Sequence, residues 1–360
     1  MATPSKINRD YIDPAYLTSL ARRALADFEV NSPSSLAAYL PSQEVPDIEY
    51  EIEKGQDGLV TAANWRMFGG NTTSETWGQA DRARGRMMPL ARNFVLDEET
   101  LLRQRNDSGD AIARRASTLT ERAAKAIALQ VNLQRGNALA NGKIQISGSG
   151  GLRQEVDFGR RADFSTTATQ LWTDPASDPI EYLSTLAEVY EQENGFRPEK
   201  MIVSTQVKAA LLKNPQVVSY AYGDSNNTKP RATPGQLSSL FAELDLPTID
   251  TVGRGKVQVD DLDSATGETK VVDLLPQDSI IFVPAAGDPT APDSSEFGRT
   301  LWGQTLSADL PDFQMKSGDL PGIVAAVINE GWPANMQVIA DAIAMPVVYN
   351  PNFTLRAKVI

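Results

Sequence analysis

The chain has 360 residues, 41% of them hydrophobic, enough to fill the cores of two or three subdomains. It contains no His and no Cys, which excludes Ser-His-Asp and Cys-His catalysis, thiol redox chemistry, disulfides and the common zinc sites. The net charge is −12 but uneven: residues 82–161 hold 15 basic against 8 acidic side chains, residues 162–360 hold 13 against 26, and sequence-specific nucleic-acid binding is disfavoured.

No run approaches the ~18 apolar residues of a membrane span, and Met1 to Asp13 lacks the apolar core of a secretion signal. Cytosolic synthesis without a membrane partner is expected. The first forty residues read as an arm. Leu17, Leu20, Ala21, Ala24, Leu25 and Phe28 recur at helical spacing and predict a helix over Ala15 to Phe28. The cluster Asn31-Ser32-Pro33-Ser34-Ser35 ends it. A short helix with one apolar stripe must lie on the rest of the chain or on a neighbour.

Residues 41–95 predict a long β projection. Val45 to Ile52 alternates as a strand, and Lys54 to Gly58 is a turn. Leu59 to Phe68 and Trp77 to Val95 read as extended segments around a Gly69-Gly70-Asn71-Thr72-Thr73-Ser74 tip. A two-stranded ribbon of this polarity is marginal unless it packs on something. Glu49, Glu51 and Glu53 alternate on the first strand, and Arg82, Arg84, Arg86 and Arg92 on the second. Either the two series face each other across the projection, or they meet a neighbouring subunit or DNA phosphates.

Asp97-Glu98-Glu99 suits a first helical turn, with a helix over Glu98 to Asn106 broken at Gly109. Ala111 to Leu139 predicts a spine helix of ~30 residues, ~45 Å long. Ile112, Ala116, Leu119, Ala123, Ala126, Ile127 and Leu133 form its apolar stripe, and Gly142 stops it. Arg103, Arg105, Arg114, Arg115 and Arg122 lie along these helices. No aromatic residues interleave with them, so contact with DNA would be through phosphates alone.

A hairpin follows, Lys143 to Ser147 with Leu152 to Phe158. Asp178 and Pro179 are cap and first residue of a helix over Ile180 to Glu193. Met201 to Ser204 is a buried strand, with a helix over Gln206 to Lys213 after it. Lys256 to Val259 and Glu268 to Asp273 flank an acidic turn, Asp260 to Gly267. Ser279 to Pro284 is another buried strand, and Gly287 to Pro292 a loop. Ile323 to Asn329, Met336 to Ala344, Pro346 to Tyr349 and Phe353 to Ile360 close an α+β chain.

The motifs of phosphate loops, dinucleotide folds and nucleophile elbows are absent. Asp260, Asp261, Asp263 and Glu268 are the best oxygen cluster for calcium. Thr266 stands where an EF-hand loop needs Gly, however, and an exposed hairpin tip is the simpler reading. Glu49, Glu51 and Glu53 leave a carboxylate-based hydrolase as the enzyme alternative. No catalytic, cofactor-binding or metal residue is assigned, and no cofactor is expected.

The order of parts resembles the major capsid proteins of tailed double-stranded DNA phages, and within them the lambda-type head proteins of the capsid E family. The residues that carry this are Glu155-Val156-Asp157-Phe158-Gly159-Arg160, Trp172-Thr173-Asp174-Pro175, and Asp178-Pro179-Ile180-Glu181-Tyr182. Ile202-Val203-Ser204, Leu274-Leu275-Pro276-Gln277-Asp278 and the ending Met345 to Phe353 complete it. Their order and spacing extend along nearly the whole chain.

The resemblance implies the Hong Kong 97 phage capsid fold, with an N-terminal arm (1–44), an E-loop (45–95), a P-domain (96–177, returning at 322–360) and an A-domain (178–321). It also implies hexamers and pentamers of an icosahedral shell around double-stranded DNA, in a virion assembled in the host bacterial cytoplasm. A portal protein, a separate scaffold protein and a decoration protein are the implied partners. Glu49, Glu51, Glu53, Arg82, Arg84, Arg86, Arg92, Arg114 and Arg115 become candidate inter-subunit or DNA-facing charges. Some relatives cross-link through Lys–Asn isopeptide bonds. Lys54 is the only Lys in 45–95, no partner can be assigned, and covalent linkage is not expected. An encapsulin-like cellular shell is the alternative with the same fold.

Overall fold

The computed structural model describes residues 6–7, 13–54, 81–96, 99, 102, 109–148, 152–223, 229–251, 255–260, 268–309, 321–330 and 335–360. The strands in chain order are β1 (Lys6–Ile7), β2 (Ser42–Glu44), β3 (Glu49–Lys54), β4 (Asp81–Arg86), β5 (Pro89–Leu96), β6 (Lys143–Ser147), β7 (Arg153–Asp157) and β8 (Ser165–Thr167). They continue as β9 (Lys200–Val203), β10 (Thr248–Asp250), β11 (Lys256–Asp260), β12 (Thr269–Asp273), β13 (Ser279–Val283), β14 (Gly298–Gly303), β15 (Val324–Glu330), β16 (Asn335–Val348) and β17 (Leu355–Lys358). The α-helices are α1 (Pro14–Asn31), α2 (Gly109–Asn141), α3 (Pro179–Asn194), α4 (Thr205–Lys213), α5 (Pro215–Tyr222) and α6 (Pro234–Glu243).

Two sheets and the spine helix α2 organise the chain. The larger sheet runs β1-β15-β16-β14-β2, with β5 also paired to β16. The other runs β10-β9-β13-β17-β8. The pairs β3–β4, β6–β7 and β11–β12 are separate hairpins. The strands interleave along the chain: β14 precedes residue 321 yet joins the larger sheet, and β17 follows residue 322 yet sits inside the smaller one.

At 33 residues α2 is about 50 Å long. Its small-residue face, Ala116, Ala123, Ala124 and Ile127, packs on Val338, Ala340, Ala342 and Ala344 of β16. Leu17 and Ala21 of α1 complete this core. The predicted arm helix therefore lies on its own chain. Asp13 caps it, accepting from the Ala15 amide at 3.2 Å. The Thr18 hydroxyl donates to Ala325 O and accepts from Ala325 N. A second core lies between the smaller sheet and its helices, with Leu183, Tyr190, Leu211, Leu237 and Phe241 against Met201, Ile280, Phe282 and Leu355. Asp178 accepts from the Ile180 and Glu181 amides at the start of α3, as its sequence position predicts.

Several expectations change. Of the strand expected over Val45 to Ile52, only Glu49 to Ile52 is strand, as part of β3; β2 ends at Glu44, ahead of Pro46, which offers no N–H. The extended run to Val95 breaks at Met87-Met88, because Met87 is buried in the core and β5 leaves the projection for β16. Met336 to Tyr349 contains one strand through Pro346, not two. Pairing with β5 ends at Ile343 and with β15 at Asp341, so one edge at Pro346 has no partner among the described residues and a missing N–H is tolerated. Gly136 does not interrupt α2. A Cβ there would collide with the Leu274 carbonyl oxygen, so this Gly allows the β11–β12 hairpin to approach the helix. The elements β1, β2, β8, β10, β14, α5 and α6 have no counterpart among the sequence expectations. The extended segments and tip over residues 55–80, most of the helix expected over Glu98 to Asn106, and the acidic turn after Asp260 lie outside the described residues.

Candidate assembly surfaces

The charges of the projection meet in register. In the β3–β4 hairpin Glu49 pairs opposite Arg86, Glu51 opposite Arg84, and Glu53 opposite Arg82. Directly opposed residues of antiparallel strands share a face, so all three pairs lie on one face of the ribbon, acids along β3 and arginines along β4. The Arg84 guanidinium lies 3.3 Å from the Glu51 carboxylate, with both side chains open to water. The other face turns inward. Tyr50 is buried there, burial raises its hydroxyl pKa, and a Cβ on Gly85 opposite would collide with that hydroxyl. An aromatic ring covers a glycine, which holds the register of the ribbon.

Arg92 does not belong to this ladder. It sits on β5 opposite Ala340, and its Nη1 lies 2.9 Å from Asp260 Oδ2 on β11. The strand break at Met87-Met88 carries it to the body of the chain. Arg114 and Arg115 stand exposed on α2, far along the chain from the ladder. Arg103 and Arg105 lie outside the described residues.

A buried polar cluster centres on Arg135, outside every residue singled out from the sequence. Arg135, on the buried face of α2, is 1% exposed. Its Nη2 donates to Glu29 Oε1 at 2.6 Å and to Ser42 Oγ at 2.9 Å, and its Nε to Thr300 Oγ1 at 2.8 Å. Ser42 Oγ in turn donates to Glu29 and accepts from Trp302 Nε1, while Thr300 donates to Leu40 O. One turn away, Asn132 accepts from the Leu36 amide and donates to Ser34 O. These bonds join α1, the segment after it, β2, α2 and β14. The only sequence signal is a charged residue two places beyond Leu133, among the amides Gln130, Asn132, Gln134 and Asn137.

At the far end of the spine Arg160, the last residue of the run Glu155 to Arg160, donates to the Leu139 and Ala140 carbonyls at 3.2 and 2.8 Å. These are end groups that a helix leaves unpaired. It also reaches Ser165 and Thr354. Burial, and then the neighbouring Arg356 guanidinium, lowers it to about 10, so it stays charged at neutral pH. Nearby an open cleft of about 570 Å³ lies between Asn137 and Asn141 of α2, Leu274–Asp278 and Ile360. Among the described residues no three carboxylates group to hold a metal ion, and no helix is long and apolar enough to cross a membrane.

A spine helix laid across a sheet, a second sheet-and-helix lobe sharing strands with the first, and a hairpin projection define the Hong Kong 97 type of phage capsid protein. The chain belongs to the phage major capsid protein E family, whose model matches residues 36–359. A solved structure assigned as a prophage capsid protein, from E. coli CFT073, is similar over 99% of this chain and 100% of its own, with a TM-score of 0.60 at 16% identity. A phage-related protein from Bordetella bronchiseptica RB50 is similar over 99% and 98%, with a TM-score of 0.55 at 14% identity. These two likenesses show the fold. No curated protein matches the sequence. The protein is a structural capsid component that assembles with itself into a shell, and not an enzyme.

Proposed function

We propose that copies of this chain form the hexamers and pentamers of an icosahedral phage head enclosing packaged double-stranded DNA. The family match over 36–359 is the observation that carries this reading. Residues 1–44 act as the arm, 45–95 as the E-loop, 96–177 with 322–360 as the P-domain, and 178–321 as the A-domain. The strands exchanged through β14 and β17 tie the last two together through shared sheets. Assembly takes place in the host bacterial cytoplasm, with a separate scaffold protein, a portal protein at one vertex and a decoration protein as partners. Glu49, Glu51 and Glu53 with Arg82, Arg84 and Arg86 first set the projection's own register, and meet a neighbour as a neutral ladder. Arg92 braces β5 against the β11–β12 hairpin; Arg114 and Arg115, exposed on α2, are the proposed inter-subunit or DNA-facing charges.

Electron microscopy of purified particles tests the proposal. A head with a distinct portal vertex and packaged DNA is expected. A closed shell around protein cargo would move the chain to the encapsulin-like alternative. A small oligomer with an acidic pocket would revive the hydrolase.

A further inference from the structure

The chain is acidic overall, and many of its exposed cations are neutralised internally. Arg84 is held by Glu51, Arg92 by Asp260, Lys143 by Glu155 and Asp157, Arg161 by Glu193, and Arg197 by Glu191. The first half of the spine helix departs from this pattern. Arg115, Arg122 and Lys125 are exposed and make no ion pair or hydrogen bond among the described residues. At 100° per residue these three and Thr118 fall within about 80° of the helix circumference. Ala116, Ala123, Ala124 and Ile127, on the other side, hold the helix to the sheet. The cations therefore form one outward stripe about 15 Å long, with exposed Arg114 along its margin. Glu121 is the one acid beside it.

We infer that this stripe is a docking track for the phosphate backbone of double-stranded DNA. The inference rests on the shell reading and adds the surface and the chemistry of contact. Duplex DNA carries one negative charge per ~1.7 Å of axis, so a 15 Å track lies against several phosphates. Residues 114–125 contain no aromatic side chain to stack on bases, and the contact inferred is that of Arg and Lys with phosphate, which carries no sequence information. The rival partner is an acidic surface of a second copy. The densest acidic run of the sequence region that projects, Glu49 to Glu53, is already matched by the chain's own arginines, which favours phosphate.

Fluorescence anisotropy of a 30-base-pair duplex titrated with the full soluble chain at several salt concentrations tests this. Each neutralised phosphate adds about 0.9 to the slope of log affinity against log salt. The variant R115Q/R122Q/K125Q is expected to lower that slope by about 2 to 3. R115K/R122K is expected to keep it, because a phosphate accepts either cation. K208Q/K213Q, on α4, is expected to leave it unchanged. Circular dichroism confirms that the variants remain helical. An unchanged slope in the triple variant overturns the inference. So does unaltered duplex binding with a collapse in particle yield, which assigns the stripe to a second copy. Failure of the wild-type chain to form particles would count against the shell reading instead, while the soluble-chain slope would still report on the stripe.

Discussion

Arg135 shows how one residue can tie distant segments together. Its guanidinium is taken from water at a cost of several kcal/mol, which only a complete set of partners offsets. Glu29, Ser42 and Thr300 supply that set, from positions 106, 93 and 165 residues away in sequence. Removing the cation alone leaves the Glu29 carboxylate buried without its charge partner. R135M is expected to lose about 3–5 kcal/mol of unfolding free energy in urea, and E29Q/R135M to recover much of that loss. Equal losses in the single and double variants would show that the two side chains are not coupled. Ser42 and Thr300 keep their bonds to Trp302 and Leu40 in the double variant, so no other group is orphaned.

At the scale of elements, the β3–β4 ladder separates two uses of the same charges. If Glu51 and Arg84 act on each other, E51R sets two cations side by side and destabilises the ribbon by about 0.2–1 kcal/mol. The swap E51R/R84E restores it, read by thermal melting and particle yield. A swapped variant that assembles no better than E51R would mean that a neighbouring subunit, not the opposite strand, reads those charges. Elements with strong local signals were legible in the sequence: α1 and α2 from periodicity, α3 from Asp178-Pro179, and the β6–β7 and β11–β12 hairpins from turn residues between alternating runs. What escaped depends on distant partners. β14 is a short Gly-flanked segment, made a strand only by β16 on one side and β2 on the other. β5 reads as part of the projection because nothing local says that Met87 is buried. The alternation of Glu49 to Glu53 and Arg82 to Arg86 was visible, and its cross-strand register was one of two readings left open. Arg135 was not legible, because periodicity identifies a buried face but not a polar network within it.

For the whole molecule, the exchange of β14 and β17 between the sheets makes one body from the parts expected as P-domain and A-domain. α1 is docked through Leu17, Thr18 and Ala21, so what projects begins at β3. A body of this kind suits a shell, where the rigid part keeps its shape while the projection meets different neighbours. The absence of His leaves its charge nearly constant between pH 5 and 8, and the absence of Cys prevents wrong disulfides outside the cell. The central claim is that this chain builds shells. Sedimentation velocity of the purified full chain, alone and with a candidate scaffold protein, tests it most directly. The account predicts closed particles sedimenting far ahead of a 39.1 kDa species. A stable monomer or small oligomer under both conditions would contradict it.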